Sequence, residues 1–185
     1  AKRFNVIVSG PRINVSDRSF TFNNGKIYFG LAAIKGMRRD FIAAIIDERQ
    51  LHGEYKDLRN FVDRLPSKWQ KAELIAPLIY VGAFDGLGYN RAEMIGSLDQ
   101  LISGIKLFAG TDGLGSDPQL QSSIKQRPEY PLITRLTKEN EYLGVYLSGH
   151  PVSQFAELAT HLHASKVASL PLDRPVTVLI LVNRV

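Results

Sequence analysis

Apolar residues between positions 40 and 108 recur three or four positions apart, which is the spacing of one face of an α-helix. The pattern predicts a first helix that has Asp40 as its N-cap and ends at Gly53. A second helix is predicted directly before Pro66, and its apolar face is formed by Leu58, Phe61, Val62 and Leu65. This part of the chain is therefore expected to be helical.

The longest helical pattern follows Gly88. Asn90 and Glu93 have the spacing of a capping box, in which each side chain accepts a hydrogen bond from the other residue's backbone N–H. The apolar face then continues through Met94, Ile95, Leu98, Leu101, Ile102 and Ile105. Ahead of this helix, Pro77 is expected in the first turn of a short apolar helix, because a proline deeper inside a helix costs about 3 kcal/mol.

Strand patterns lie on both sides of the helical region. A short strand is predicted over residues 4–8, and residues 19–22 and 26–29 alternate around an Asn-Gly pair that is typical of a tight hairpin turn. Residues 176–182 form an apolar strand pattern without a partner in the sequence, as expected at the start of a further domain. The predicted fold class is mainly α with small β elements.

Residues 109–130 interrupt the regular patterns. Glycine, serine, aspartate and glutamine accumulate there and the periodicity disappears, which predicts a flexible linker. Beyond it, one helix is predicted over residues 137–147, closed by Gly149, and another around residues 155–162.

Composition narrows the class of protein. The chain has 185 residues, of which 44% are hydrophobic and 22% charged, so it can fold and bury a core. It has no cysteine, which excludes disulfides, thiolate zinc sites and cysteine nucleophiles. No apolar run approaches the roughly 18 residues that cross a membrane, and no signal peptide is recognisable, so a soluble, cytoplasmic protein is expected.

The net charge of +5 permits a nucleic-acid partner. The excess of basic residues lies in residues 1–91, since residues 92–185 hold eight basic and nine acidic side chains. Four of the basic residues lie at two glycine-centred turns, namely Lys35, Arg38, Arg39 and Arg91. The location of these basic residues at the turns therefore supports a nucleic-acid partner more strongly than the net charge does.

The two turns, residues 31–39 and 78–91, each join helix-patterned segments and resemble a tandem helix-hairpin-helix. A tight glycine turn ahead of a helix exposes backbone N–H groups at the positive end of that helix, an arrangement that accepts a phosphate oxygen. Contacts of this kind hold the nucleic-acid backbone and carry no sequence information.

Two sequence strings extend this resemblance. The string Gly82-Ala-Phe-Asp-Gly-Leu-Gly88 with Asn90-Arg91, and the string Glu139-Asn-Glu-Tyr-Leu-Gly-Val-Tyr-Leu-Ser-Gly-His-Pro151, are together similar to the C-terminal half of the bacterial replicative DNA polymerase III alpha subunit. The similarity implies the end of a fingers region over 1–29, a tandem helix-hairpin-helix DNA-binding domain over 30–108, a linker over 109–130, a helical connector over 131–170, and the start of an OB fold over 171–185.

The resemblance also implies functional residues. Contacts to the backbone of duplex DNA are expected from Lys35, Gly36, Arg38, Arg39, Gly82, Gly86, Gly88 and Arg91. In this family the polymerase chemistry and its Mg2+ ions belong to a palm domain upstream of the region represented here. We therefore expect no catalytic residue, metal site or cofactor in this chain, which should not polymerise DNA alone. Its expected partners are duplex DNA and the other polymerase domains.

A further expected partner is the sliding clamp. The family carries a short internal clamp-binding peptide that begins with Gln and ends in Leu-Phe. Residues 104–108 occupy its place and keep the ending as Leu107 and Phe108, although the Gln is missing. These side chains would fill an apolar groove on the clamp. The alternative is that they continue the apolar face of the preceding helix into the core.

Other functions have less support in the sequence. The main alternative is a protein-interaction module that joins polymerase domains or the clamp without touching DNA.

Trp69, Tyr142 and Tyr146 are expected in the core and not stacked on bases. His161 and His163 are two positions apart and cannot share a helical face, so they do not indicate a metal site. A free-standing nuclease or glycosylase is disfavoured, because no general base or nucleophile accompanies the turns.

Overall fold

The computed structural model describes residues 7–108, 124–165, 170, 173 and 175–180. Within these residues the protein is mainly helical, with six α-helices and one small sheet. The helices are α1 (Arg39–His52), α2 (Leu58–Arg64), α3 (Ala72–Tyr80), α4 (Arg91–Phe108), α5 (Leu132–Leu143) and α6 (Ala156–His161). Short 3-10 helices cover Leu31–Ala33, Ser67–Trp69 and Pro151–Phe155. Among the residues described, no helix is long and apolar enough to cross a bilayer.

The sheet has three short strands, β1 (Ile7–Ser9), β2 (Thr21–Asn23) and β3 (Lys26–Tyr28), in the order β1-β3-β2. β3 pairs with β1 in parallel and with β2 antiparallel. Asn24 and Gly25 both have positive φ, 47° and 75°, as a two-residue hairpin turn with right-handed twist requires. The hairpin predicted from the Asn-Gly pair is confirmed.

One apolar core unites the helices of both glycine turns. Phe61 of α2 lies at its centre, with its ring 4.9 Å from that of Tyr55 and 5.0 Å from that of Phe84, both edge to face. Trp69 is buried and packs on Phe41 of α1, with ring centres 5.3 Å apart. Trp69 thus lies in the core, as predicted.

The ends of α1 differ in part from the prediction. The helix begins at Arg39 with Arg38 as its N-cap, so the assignment of Asp40 as N-cap is wrong. The Asp40 carboxylate instead accepts hydrogen bonds from Arg38 and from the backbone N–H of Phe41, inside the first turn. At the other end Gly53 has a φ of 78° and ends the helix at the predicted residue.

Pro77 lies inside α3, not in its first turn as predicted. The helix already begins at Ala72, so the proline ring occupies its sixth position and removes one backbone hydrogen bond. Ile75, Leu78 and Ile79 of this helix are fully buried. Tertiary packing of this apolar face offsets the local cost of the proline.

The start of α4 is the most accurate part of the sequence prediction. The backbone N–H of Asn90 donates to Glu93 Oε2 at 2.8 Å, and the N–H of Glu93 donates to Asn90 Oδ1 at 2.9 Å. This is the reciprocal pair of a capping box, so the predicted motif is confirmed.

Of the two helices predicted beyond residue 130, the first is shifted, and the second is confirmed as α6 (Ala156–His161). α5 covers Leu132–Leu143 and ends at Gly144, which has a φ of 70°, and not at Gly149. Tyr142 near its end is half-buried and stacks on Tyr80, with ring centres 5.8 Å apart; Tyr146 is also half-buried. Residues 175–180 pair with no strand among the described residues, and because the predicted terminal strand was expected to lack a partner here, it stays a prediction. Residues 109–123 of the predicted linker and most of 171–185 lie outside the described residues.

Candidate functional site

The first glycine turn joins the 3-10 helix at residues 31–33 to α1. Buried Ile34 anchors it, and the backbone N–H of Met37 donates to the Ile34 carbonyl at 3.2 Å. Gly36 has a φ of 85°, and no atom lies within 4 Å of where a Cβ would stand. The backbone at Gly36 is therefore open to the approach of a ligand. The neighbouring N–H of Lys35 is already used, since it donates to the Tyr142 carbonyl at 2.8 Å.

The basic residues of this turn are on the surface. The side chains of Lys35, Arg38 and Arg39 are all exposed. Arg38 pairs with Asp40 through two hydrogen bonds of 2.7 and 3.1 Å, which raises the pKa of Arg38 and lowers that of Asp40. Within the part of the chain that the structure describes, Lys35 and Arg39 form no ion pair. The first turn thus presents unneutralised positive charge to solvent.

The second turn, residues 81–90, depends on three glycines. Gly82, Gly86 and Gly88 have φ values of 79°, 94° and 100°, a region that other residues rarely adopt. Gly82 is buried, whereas Gly86 and Gly88 are exposed. The structure therefore brings the predicted glycines together in one loop, and two of them lie at its surface.

Gly82 also has a packing role that the sequence did not reveal. A Cβ at this position would lie 2.3 Å from Arg91 Nη2 and 2.6 Å from Asp85 Oδ2. Both distances are well below van der Waals contact. The ion pair of Arg91 and Asp85 thus rests directly on the Gly82 backbone.

Arg91, expected to contact a phosphate, faces the interior. Its side chain is 5% exposed. Its guanidinium donates to both carboxylate oxygens of Asp85, at 2.8 and 3.0 Å, to Glu139 Oε1 at 3.0 Å, and to the Tyr80 carbonyl at 2.9 Å. Burial alone would lower the pKa of Arg91, but the hydrogen bonds and charges of Asp85 and Glu139 raise it. The geometry therefore makes Arg91 a structural residue, which corrects its placement among surface cations.

Glu139 is the partner that the sequence analysis missed. It is fully buried and accepts hydrogen bonds from the N–H groups of Leu147 and Ser148, both at 2.8 Å, and from the Ser148 hydroxyl. Burial would raise the pKa of Glu139, but these hydrogen bonds and the one from Arg91 hold it below its ordinary value. The pair thus connects the two strings, residues 82–91 and 139–151, in the folded chain.

Residues before the sheet hairpin brace the same turn. Arg12 Nη1 donates to the carbonyls of Gly82 at 3.1 Å and Asp85 at 2.7 Å. The N–H of Ile13 donates to the Ala83 carbonyl at 2.9 Å. These contacts join positions some seventy residues apart, so no local pattern could have indicated them.

The backbone N–H groups at the start of α4 already donate hydrogen bonds to carboxylates. Glu129 accepts from the backbone N–H of Arg91 at 3.1 Å and from that of Ala92 at 3.3 Å, beside the capping box of Asn90 and Glu93. A carboxylate in this position interacts favourably with the positive end of the helix. The expectation that this helix start offers free amides to a phosphate is therefore not met. Among the predicted contacts, the exposed cations are those of the first turn, Lys35, Arg38 and Arg39.

The remaining candidate residues are at the end of α4. The Leu107 side chain is 75% exposed, which contradicts the alternative that it continues into the core. Phe108 is the last residue of α4, and its side chain lies outside the described residues. Among described side chains, no three His, Asp or Glu residues come together as a metal ion would require.

Comparison with known proteins identifies the motif. A family model described as a helix-hairpin-helix motif matches residues 5–94, a range that contains both glycine turns. The chain is 33% identical over 162 residues to the DNA polymerase III subunit alpha of Staphylococcus epidermidis, 34% over 165 residues to that of Bacillus subtilis, and 34% over 170 residues to that of Vibrio cholerae. These matches cover 86–88% of this chain and 15% of each relative.

Proposed function

Because this chain is homologous to a segment of DNA polymerase III alpha subunits, we propose that it is a DNA-binding module of a replicative polymerase. In this proposal it holds the phosphate backbone of duplex DNA without reading the base sequence. The observation that carries the proposal is the exposed cluster of Lys35, Arg38 and Arg39 beside the open backbone of Gly36. The helix-hairpin-helix match over residues 5–94 supports the same role.

The physical basis is charge neutralisation at a helix start. The cluster lies at the N-terminal end of α1, whose backbone dipole is positive at that end. Lysine and arginine side chains release condensed counterions when they bind phosphates, and this release supplies most of the free energy of non-specific binding. Such contacts position a protein on the duplex but carry no sequence information.

We propose polymerase activity only for a longer protein. The relatives named above are nearly seven times the length of the matched segment, since it covers 15% of each. In this proposal, nucleotidyl transfer and the Mg2+ ions that support it belong to parts of such a protein outside this chain. Within it, the module would steady the duplex for the other polymerase domains.

The proposal is tested by removing Lys35 and Arg39, the cations of the first turn that form no ion pair among the described residues. The double variant Lys35→Ala, Arg39→Ala is expected to bind duplex DNA more weakly than the unmodified chain, with the loss greatest at low salt. Fluorescence anisotropy of a labelled duplex measures the affinity. Lys56→Ala, an exposed lysine outside both turns, is the matched control and should keep full affinity. Equal affinities for the double variant and the unmodified chain would contradict the proposal.

A second candidate function is binding of the sliding clamp through the end of α4. The exposed side chain of Leu107 favours it, because this side chain can enter an apolar groove without leaving the core, and its transfer out of water is favourable. Leu107→Ala is expected to reduce clamp capture and leave the melting temperature unchanged. Clamp capture that is undetectable with the unmodified chain, or unaffected by the substitution, would contradict this role.

A further inference from the structure

Trp69 holds two cations from different parts of the chain against one aromatic ring. The guanidinium carbon of Arg38, in the first turn, lies 5.4 Å from the ring centre. Lys68 Nζ, in the 3-10 helix ahead of α3, lies 5.0 Å from it. Both distances are within the range of cation–π attraction. The ring therefore brings Lys68, which precedes the second turn in the chain, close to Arg38 of the first turn.

The ring itself is fixed. Trp69 is 5% exposed and packs on Phe41, which is fully buried in α1. The backbone N–H of Trp69 donates to the Pro66 carbonyl at 2.8 Å. A side chain held in this way cannot act as a platform for bases. The ring does lie close to the charged groups of Arg38 and Lys68.

Lys68 differs from Arg38 in its electrostatic surroundings. Arg38 is paired with Asp40, so part of its charge is neutralised. Lys68 is exposed, and among the described residues it has no carboxylate partner. Lys71, three positions on, is exposed as well. The unneutralised charge of the first turn thus continues along the segment that leads into α3.

We propose that Arg38 and Lys68, which Trp69 holds close together, form a composite phosphate-contacting surface, in which Lys68 binds the duplex backbone next to the first turn. This inference rests on the proposed function and adds a residue outside both glycine turns. Both cations are measured to the same ring centre, so their charged groups lie within about 10 Å of each other. DNA carries a phosphate about every 3.4 Å of axis along each strand, so two cations this close can contact one duplex together.

The position of the tryptophan supplies a direct test. Trp69 is the single tryptophan of the chain, so fluorescence excited beyond the absorption band of tyrosine reports on this surface alone. Titration of the 185-residue chain with a duplex should change Trp69 emission with the same midpoint as the anisotropy of the labelled DNA. Lys68→Ala should weaken binding several-fold at low salt and reduce the salt slope by about 0.9, the value for one phosphate contact. Lys68→Arg should restore both, and Lys56→Ala should change neither.

Separate results distinguish this inference from the function on which it rests. If anisotropy shows binding while Trp69 emission stays constant and Lys68→Ala matches the unmodified chain, the duplex does not touch this surface, although the chain still binds DNA. If the unmodified chain shows no binding at low salt by either readout, both the inference and the proposed function are wrong.

Discussion

Replacing Arg91 with alanine is expected to lower the free energy of unfolding by about 3–5 kcal/mol. The substitution leaves Glu139 fully buried and without its cation, and a buried charge without a partner is costly. It also frees the Asp85 carboxylate and the Tyr80 carbonyl from their shared donor. Urea denaturation of the variant and the unmodified chain measures the difference.

A surface pair of the same kind provides the control for this prediction. Lys138 and Glu141 form a partly exposed salt bridge of 2.8 Å on α5, and Glu141→Gln should cost no more than about 1 kcal/mol. A similarly small loss for Arg91→Ala would show that the buried pair does not join the second turn to α5.

The same pair has a pH signature. Because the pKa of Glu139 is lower in the folded chain than in the unfolded chain, its stabilisation is present above the unfolded value, about 4.3. It is lost as the pH falls through the lower folded value. Glu139→Gln should therefore remove part of the acid destabilisation that the unmodified chain shows.

Gly82→Ala is expected to destabilise the fold by about 3 kcal/mol or more. A positive φ alone costs a non-glycine residue about 1–3 kcal/mol. At Gly82 the added Cβ would also stand 2.3 Å from Arg91 Nη2, so the ion pair on which the turn depends must move. Denaturation curves give the loss of stability.

A substitution at Gly86 separates the cost of the positive φ from the cost of the contact with Arg91. It lies in the same turn with a φ of 94°, but no atom is within 4 Å of where its Cβ would stand. Gly86→Ala should therefore cost only the backbone term, about 1–3 kcal/mol. Equal losses at Gly82 and Gly86 would mean that contact with the ion pair adds nothing.

Elements defined by neighbouring residues could be predicted from the sequence. The capping box of Asn90 and Glu93, the hairpin at Asn24-Gly25 and the end of α1 at Gly53 all depend on side chains within a few positions of one another. Their physical causes are local, and local patterns record them.

Features that depend on distant residues could not be predicted in this way. Arg91 follows a turn that resembles a phosphate-binding hairpin and is expected to contact phosphate, yet Glu139 and Asp85 hold it inside. The same holds for Glu129, which takes the amide groups expected to meet a phosphate, and for Pro77, which packing retains inside α3. Of the residues expected to contact DNA, six are exposed, and the cations among them all lie at the first turn; the six are Lys35, Gly36, Arg38, Arg39, Gly86 and Gly88.

The most direct measurement of the central claim is duplex binding by the 185-residue chain as a function of salt. Two duplexes of unrelated sequence and equal length should bind with the same affinity, and the logarithm of that affinity should fall linearly with the logarithm of salt concentration. A slope of about −0.9 for each phosphate contacted predicts a value near −3 to −4 for the cations of the first turn and Lys68. Affinity that does not change with salt, or that differs strongly between the two duplexes, would contradict binding through the phosphate backbone.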